Sequence, residues 1–133
     1  MSSLVEKNAG AIDLIARILL GFLFVGAGTQ KLGSLEATGG YMDAIGIPGG
    51  LAVVVAIFEV VGGLAIIVGF WTRLAAFLLG GFCVLSAFAA HLQPDNPVEM
   101  AMFMKNIAIA GGFGVLLVKG AGSISIDARS AAD

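Results

Sequence analysis

Residues Leu51 to Phe70, LAVVVAIFEVVGGLAIIVGF, form a run of twenty in which Glu59 is the one charge. A helix of that length crosses the hydrocarbon core of a bilayer, and a stretch so apolar has no place on the surface of a soluble domain. Glu59 is therefore the residue to explain. A carboxylate within a membrane helix costs about 3 kcal/mol on insertion scales, so it is expected to face other helices and to have a partner or a task.

Three further segments have the same character: Ile12 to Lys31, Leu74 to Leu92 and Val98 to Val118. With 59% hydrophobic and 12% charged residues and a mean hydropathy of +1.02, the chain lies far from ordinary globular composition. Trp71, Thr72 and Arg73 are the whole joint between the second and third segments, which forces an antiparallel hairpin. QPDNP joins the third and fourth, with prolines placed to stop one helix and start the next. The expectation is one all-α membrane domain over residues 1–133, an antiparallel four-transmembrane-helix bundle. The long connection GSLEATGGYMDAIGIPGG reads as an ordered external loop with a short interfacial helix around Tyr41 to Ile45. The small, polar tail after Lys119 is expected to fray.

Lys7, Arg73, Lys119 and Arg129 fall on the side that holds both termini, and Glu36, Asp43, Asp95 and Glu99 on the other, with only Lys31 at its margin. By the positive-inside bias both termini should be cytoplasmic, with Trp71 as an anchor at the inner interface. The first ten residues carry both signs of charge, and no small-residue cleavage site follows them, so a removable signal peptide is not expected. A net charge of -2 without a basic patch argues against nucleic acid. The single Cys83 offers neither a disulfide nor a metal-ligand spacing and reads as an inert core thiol. No metal site is expected.

Polar residues recur at one level. Counted from the outer ends, Glu59 lies about 12 Å deep and Lys105 about 10 Å deep, at a helical rise of about 1.5 Å per residue. Asn106 is beside Lys105, and His91, Gln30 and Lys31 stand at the outer ends of the third and first segments. One reading makes Glu59 and Lys105 a buried ion pair that sets helix register, with Asn106 bonded to a carbonyl. The other makes Glu59, His91, Lys105, Asn106, Lys31 and Gln30 a pocket for a head group or quinone ring. Lys31 is expected to reach outward and Arg17 inward to the nearer surface, with Asp13 four residues before Arg17 as its local partner. Arg17, Gly21, Phe24, Gly28 and Lys31 share one stripe of the first helix, and Glu59 and Arg73, fourteen apart, share another. Both stripes are expected to look inward, with Arg17 and Arg73 as structural charges. Twenty glycines supply the close helix contacts that lipid does not otherwise drive.

Taken together, R-x3-G-x2-F-x3-G-x2-K from Arg17 to Lys31, E-x2-GG-x5-G-x3-R from Glu59 to Arg73, His91, and F-x-KN at Phe103, Lys105 and Asn106 resemble the DoxX family of small four-helix bacterial membrane proteins. The resemblance implies a multi-pass protein of the bacterial plasma membrane. The family takes its name from a subunit connected with thiosulfate:quinone oxidoreductase, which implies by analogy a quinone-linked redox role. One Cys and one His provide no haem or iron–sulfur signature, so electrons would be carried by a partner or by quinone. Two functional classes follow. One is a non-catalytic accessory subunit of a quinone-linked complex, with quinone or lipid as its ligand; the other is a lipid-binding or assembly helper, alone or as a homo-oligomer. No catalytic residue is singled out.

Overall fold

A computed structural model describes residues 1–132, and every regular element among them is helical. In order these are α1 (Ser2–Lys7), α2 (Ala9–Leu32), α3 (Leu35–Ala44), a 3-10 turn (Gly49–Leu51), α4 (Ala52–Val68), α5 (Thr72–Ser86), a π turn (Ala87–His91) that continues it, α6 (Pro97–Lys119) and α7 (Ile126–Ala132). Four continuous stretches are long and apolar enough to span a bilayer: Ala9–Leu32, Gly49–Val68, Thr72–His91 and Pro97–Lys119. They run alternately up and down, so both ends of the chain lie on one side, called here the inner end. The long connection between the first two spans holds more helix than the sequence suggests, α3 in place of the short helix expected around Tyr41 to Ile45.

The helix ends have local causes. Gly69 takes the left-handed conformation at φ 70° and stops α4, with Phe70 N–H donating to the Ala65 carbonyl and Gly69 N–H to that of Ile66, the paired bonds of a Schellman motif. Asn96 caps α6 by accepting from the N–H groups of Val98 and Glu99, with Pro97 in the first turn.

Glycine decides which helices touch. A Cβ on Gly21 would stand 2.5 Å from the Gly63 carbonyl oxygen, one on Gly63 2.7 Å from that of Gly21, and one on Gly28 2.6 Å from that of Ala56. α2 and α4 therefore pack backbone to backbone, which only residues lacking a side chain permit. α6 packs on α5 through a side chain instead, where Gly80 leaves room for Phe113. The two pairs meet at a core of Phe24, Ile66, Leu79 and Phe113, with the Phe24 and Phe113 rings 5.5 Å apart. Large side chains such as Leu19, Phe22 and Phe77 point outward, as a bundle solvated by lipid requires.

The tail does not fray. After Lys119 the chain folds back across the inner end, where Asp127 N–H donates to the Gly69 carbonyl at 2.8 Å. The Asp127 carboxylate in turn accepts from the N–H groups of Trp71 (2.8 Å) and Thr72 (2.9 Å) at the start of α5. Small polar composition concealed a capping residue. Arg17 does not reach a surface either: it is wholly buried and donates to the carbonyls of Ile66 (3.2 Å) and Ile67 (2.9 Å), at the end of α4, and of Ile124 in the tail. Asp13 is not its hydrogen-bonded partner. That carboxylate pairs with Lys119 of α6, because the carbonyls at the end of α4 already hold the guanidinium.

Burial alone would raise the Asp127 carboxyl, but hydrogen bonds from Thr72 and Trp71, with the charge of Arg17, outweigh it and hold it below the usual carboxylate range. Its contribution to stability is thus present above the unfolded value of about 3.9 and disappears as pH falls through the lower folded value. Thermal unfolding in detergent should show an acid loss that sets in below about pH 4 and is smaller in Asp127→Asn, and the variant should be less stable at pH 7 by about 1–2 kcal/mol. Equal acid losses in the two proteins would contradict the tether.

Candidate functional site

At the outer end the polar residues sort into two clasps, one within each helix pair. On the first, Lys31 Nζ of α2 donates to both carboxylate oxygens of Glu59 on α4, at 3.1 and 2.9 Å. The Glu59 side chain is 4% exposed and that of Lys31 30%. The expected Glu59–Lys105 pair is absent, and Lys31 does not reach outward. Equal depth does not make two residues neighbours: the glycine seam sets α2 beside α4, and helical side chains lean toward their own N-terminus. For Lys31, at the outer end of a rising helix, that lean carries the ammonium down into the bundle toward Glu59.

On the second pair, Asn106 Nδ2 of α6 donates to Ser86 Oγ of α5 at 3.1 Å, and Ser86 Oγ donates to the Cys83 carbonyl at 3.2 Å. Asn106 was expected on a carbonyl; the hydroxyl intervenes. Nearer the rim, His91 Nδ1 lies 2.6 Å from Glu99 Oε2. The π turn Ala87–His91 ends in that histidine, and such a turn re-aims the residues that follow it. Phe88 and Phe103 meet edge to face at 5.1 Å on the same pair.

Lys105 is exposed and makes no hydrogen bond or ion pair with the described residues. It lies seven residues before Gly112, on the face of α6 that Gly112 turns toward Leu20 of α2. Its charge thus stands at the seam between the two pairs. Gln30 is exposed, and its carbonyl accepts from Ser34 Oγ. Arg73, at the start of α5, is likewise exposed and without a partner among the described residues, so the stripe it shares with Glu59 does not look inward throughout. Cys83 is buried. Ser86 and Glu99 are the site residues that sequence reasoning passed over. Glu99 carries a usable signal, an acid in the first turn of a helix eight residues after the only histidine. A serine inside an apolar helix carries none.

These residues stand in a frame that is matched elsewhere. The DoxX family model matches residues 12–92, more than half of the chain. The chain belongs to the DoxX family. This DoxX protein is 45% identical over 114 residues to inner membrane protein YqjF of Escherichia coli K12, covering 86% of this chain and 88% of that one. It is 33% identical over 123 residues to inner membrane protein YphA of the same organism, covering 87% and 88%. A shorter match, 32% over 65 residues and about half of each chain (49% and 48%), is to the putative oxidoreductase CatD of Bacillus subtilis 168. No solved structure matches. With four spanning helices and inner membrane relatives of nearly its own length, this DoxX protein is a multi-pass protein of the bacterial inner membrane.

The Lys31–Glu59 pair makes a specific demand. Lys31→Met strands the buried Glu59 carboxylate and should cost about 3–5 kcal/mol. Glu59→Gln leaves the part-exposed Lys31 and should cost less, and the double change should recover much of the larger loss. Thermal unfolding of the four proteins in detergent completes the cycle. Additive losses would show that the two residues are not coupled, and the corresponding cycle with Lys105→Met should show little coupling.

Proposed function

We propose that this DoxX protein is an accessory subunit of a quinone-linked redox complex of the inner membrane, whose outer end receives a quinone head group. The observation that carries the reading is the outer end itself, where a buried Lys31–Glu59 pair, a His91–Glu99 pair and the unpaired Lys105 share one half of an otherwise apolar bundle. The residues fit a quinone in kind. Its carbonyl oxygens need donors, which Lys105 Nζ and the free ring nitrogen of His91 offer, and its ring needs aromatic surface, which Phe88 and Phe103 offer. A bound quinone would supply two-electron chemistry. The chain's part is to hold the head group, with the His91 ring oriented by Glu99. The name of the Bacillus relative, a putative oxidoreductase, favours a redox setting.

A second reading, a lipid-binding or assembly helper, also has an observation in its favour. Both oxygens of Glu59 are taken by Lys31, and Asn106 and His91 each have a side-chain partner, so the clasps can serve helix packing alone.

The two separate on purification in mild detergent. The redox reading expects a redox-active partner or bound quinone with the wild type, and less quinone with a folded His91→Ala; a colourless homo-oligomer with identical quinone content in both proteins would leave the helper. Orientation is part of the proposal, with both termini cytoplasmic. Cysteines at Ser34 and Asn96 should then react with an impermeant thiol reagent from the periplasm and one at Ser130 should not, and the reverse pattern would put the polar end at the cytoplasm.

A further inference from the structure

We propose that the inner end of the bundle binds one anionic glycerophospholipid, its phosphate at Arg73 and an acyl chain in the groove between α4 and α5. Two cavities adjoin there. One, of about 490 Å³, has a mixed lining that includes the polar Thr72, Arg73, Lys119 and Asp127. The other, of about 460 Å³, is an apolar groove between Ile57, Phe58 and Val61 of α4 and Leu78 of α5. Trp71 and Leu74 line both. A ligand that fills the pair must be charged at one end and hydrocarbon at the other.

The charges in and around the polar cavity select the sign of that end. Asp127 is spent on the N–H groups of Trp71 and Thr72, and Arg17 on three backbone carbonyls. Lys119 is held by Asp13. Arg73 remains, its guanidinium lying across Gly120 with no hydrogen-bond acceptor or anion among the described residues. A planar guanidinium with free N–H groups matches a phosphate diester. The groove is already in the lipid phase, so a chain entering it leaves no water behind; what the site adds over bulk lipid is the charge at its mouth.

Trp71 marks the join. Its backbone sits in the left-handed region at φ 45°, the one non-glycine residue among those described with positive φ, a conformation that costs about 1 kcal/mol or more. The Asp127 carboxylate holds it by accepting its N–H. The result is a Trp71 that is 65% exposed, its ring stacked on Phe70 at 5.7 Å, where the cavity that holds Arg73 meets the apolar groove. Indoles favour that boundary at the head-group level. The head-group end of the site is at the opposite end of the bundle from Lys31. The groove climbs α4 as far as Ile57 and Phe58, on the face toward α5 rather than the one Glu59 turns to Lys31, and the site is independent of the redox reading.

Trp71 is the only tryptophan in the chain, so its fluorescence reports on the site directly. The delipidated protein in detergent is titrated with phosphatidylglycerol and with phosphatidylcholine carrying the same brominated chains. Quenching should saturate at about fivefold or more lower phosphatidylglycerol than phosphatidylcholine, the scale of one cation facing an anionic lipid. Arg73→Gln should erase the preference while phosphatidylcholine still quenches. Val61→Phe, which narrows the groove and leaves the cation alone, should weaken both lipids in a protein of unchanged helicity. Equal affinities in the wild type, a preference that survives Arg73→Gln, or competition by millimolar inorganic phosphate as strong as that by unbrominated phosphatidylglycerol would overturn the proposal.

Discussion

The backbone contact between α2 and α4 governs the rest of the bundle. In lipid no hydrophobic force draws two helices together, so association rests on close packing, and the approach at Gly21, Gly28 and Gly63 leaves no room for even a methyl group. That contact fixes which residues become neighbours. It brings Lys31 over Glu59 and sets Arg17 beneath the last carbonyls of α4. Glu59 is thereby paired and Arg17 given two of its carbonyl acceptors, the third coming from Ile124 in the tail. A side chain at any of the three positions would displace both clasps at once.

The bundle is consequently two pairs rather than four equivalent helices. α2 with α4 is tied by an ion pair, α5 with α6 by the chain of Asn106, Ser86 and the Cys83 carbonyl. Between the pairs lie aromatic and aliphatic contacts, Phe24 on Phe113 above all. Across the seam a directional tie lies at the inner end, where Lys119 of α6 pairs with Asp13 of α2; toward the outer end the two pairs meet through non-directional packing. Lys105 stands at the outer end of that seam.

Much of this frame was legible in the sequence. Segments of about twenty apolar residues have one stable outcome in a bilayer, and the alternation of four of them follows from joints as short as Trp71-Thr72-Arg73. The stripe of Arg17, Gly21, Phe24 and Gly28 does face inward, and all four are buried. The partners of the charges were not legible. Counting depth from segment ends treats a side chain as a point at its Cα, whereas a lysine reaches several ångströms along its helix, which separates Lys31–Glu59 from the Glu59–Lys105 pair that depth suggested. Asp127 was hidden differently: it sits among alanine, serine and isoleucine in a tail with no periodic pattern, and its partners, two backbone N–H groups, leave no trace in any sequence.

The fold-back of the tail also sets an order of events during synthesis. Arg17 bonds to the carbonyl of Ile124, 107 residues later in the chain, and the first N–H groups of α5 wait on Asp127, more than fifty residues later. α2, α4 and α5 all precede both partners in the chain, so the first pair can form before either partner is made. Until then the α2–α4 pair carries an arginine whose coordination is incomplete and α5 begins without its cap. Closure of the inner end therefore waits on the tail, and a chain cut before residue 124 would have that end open.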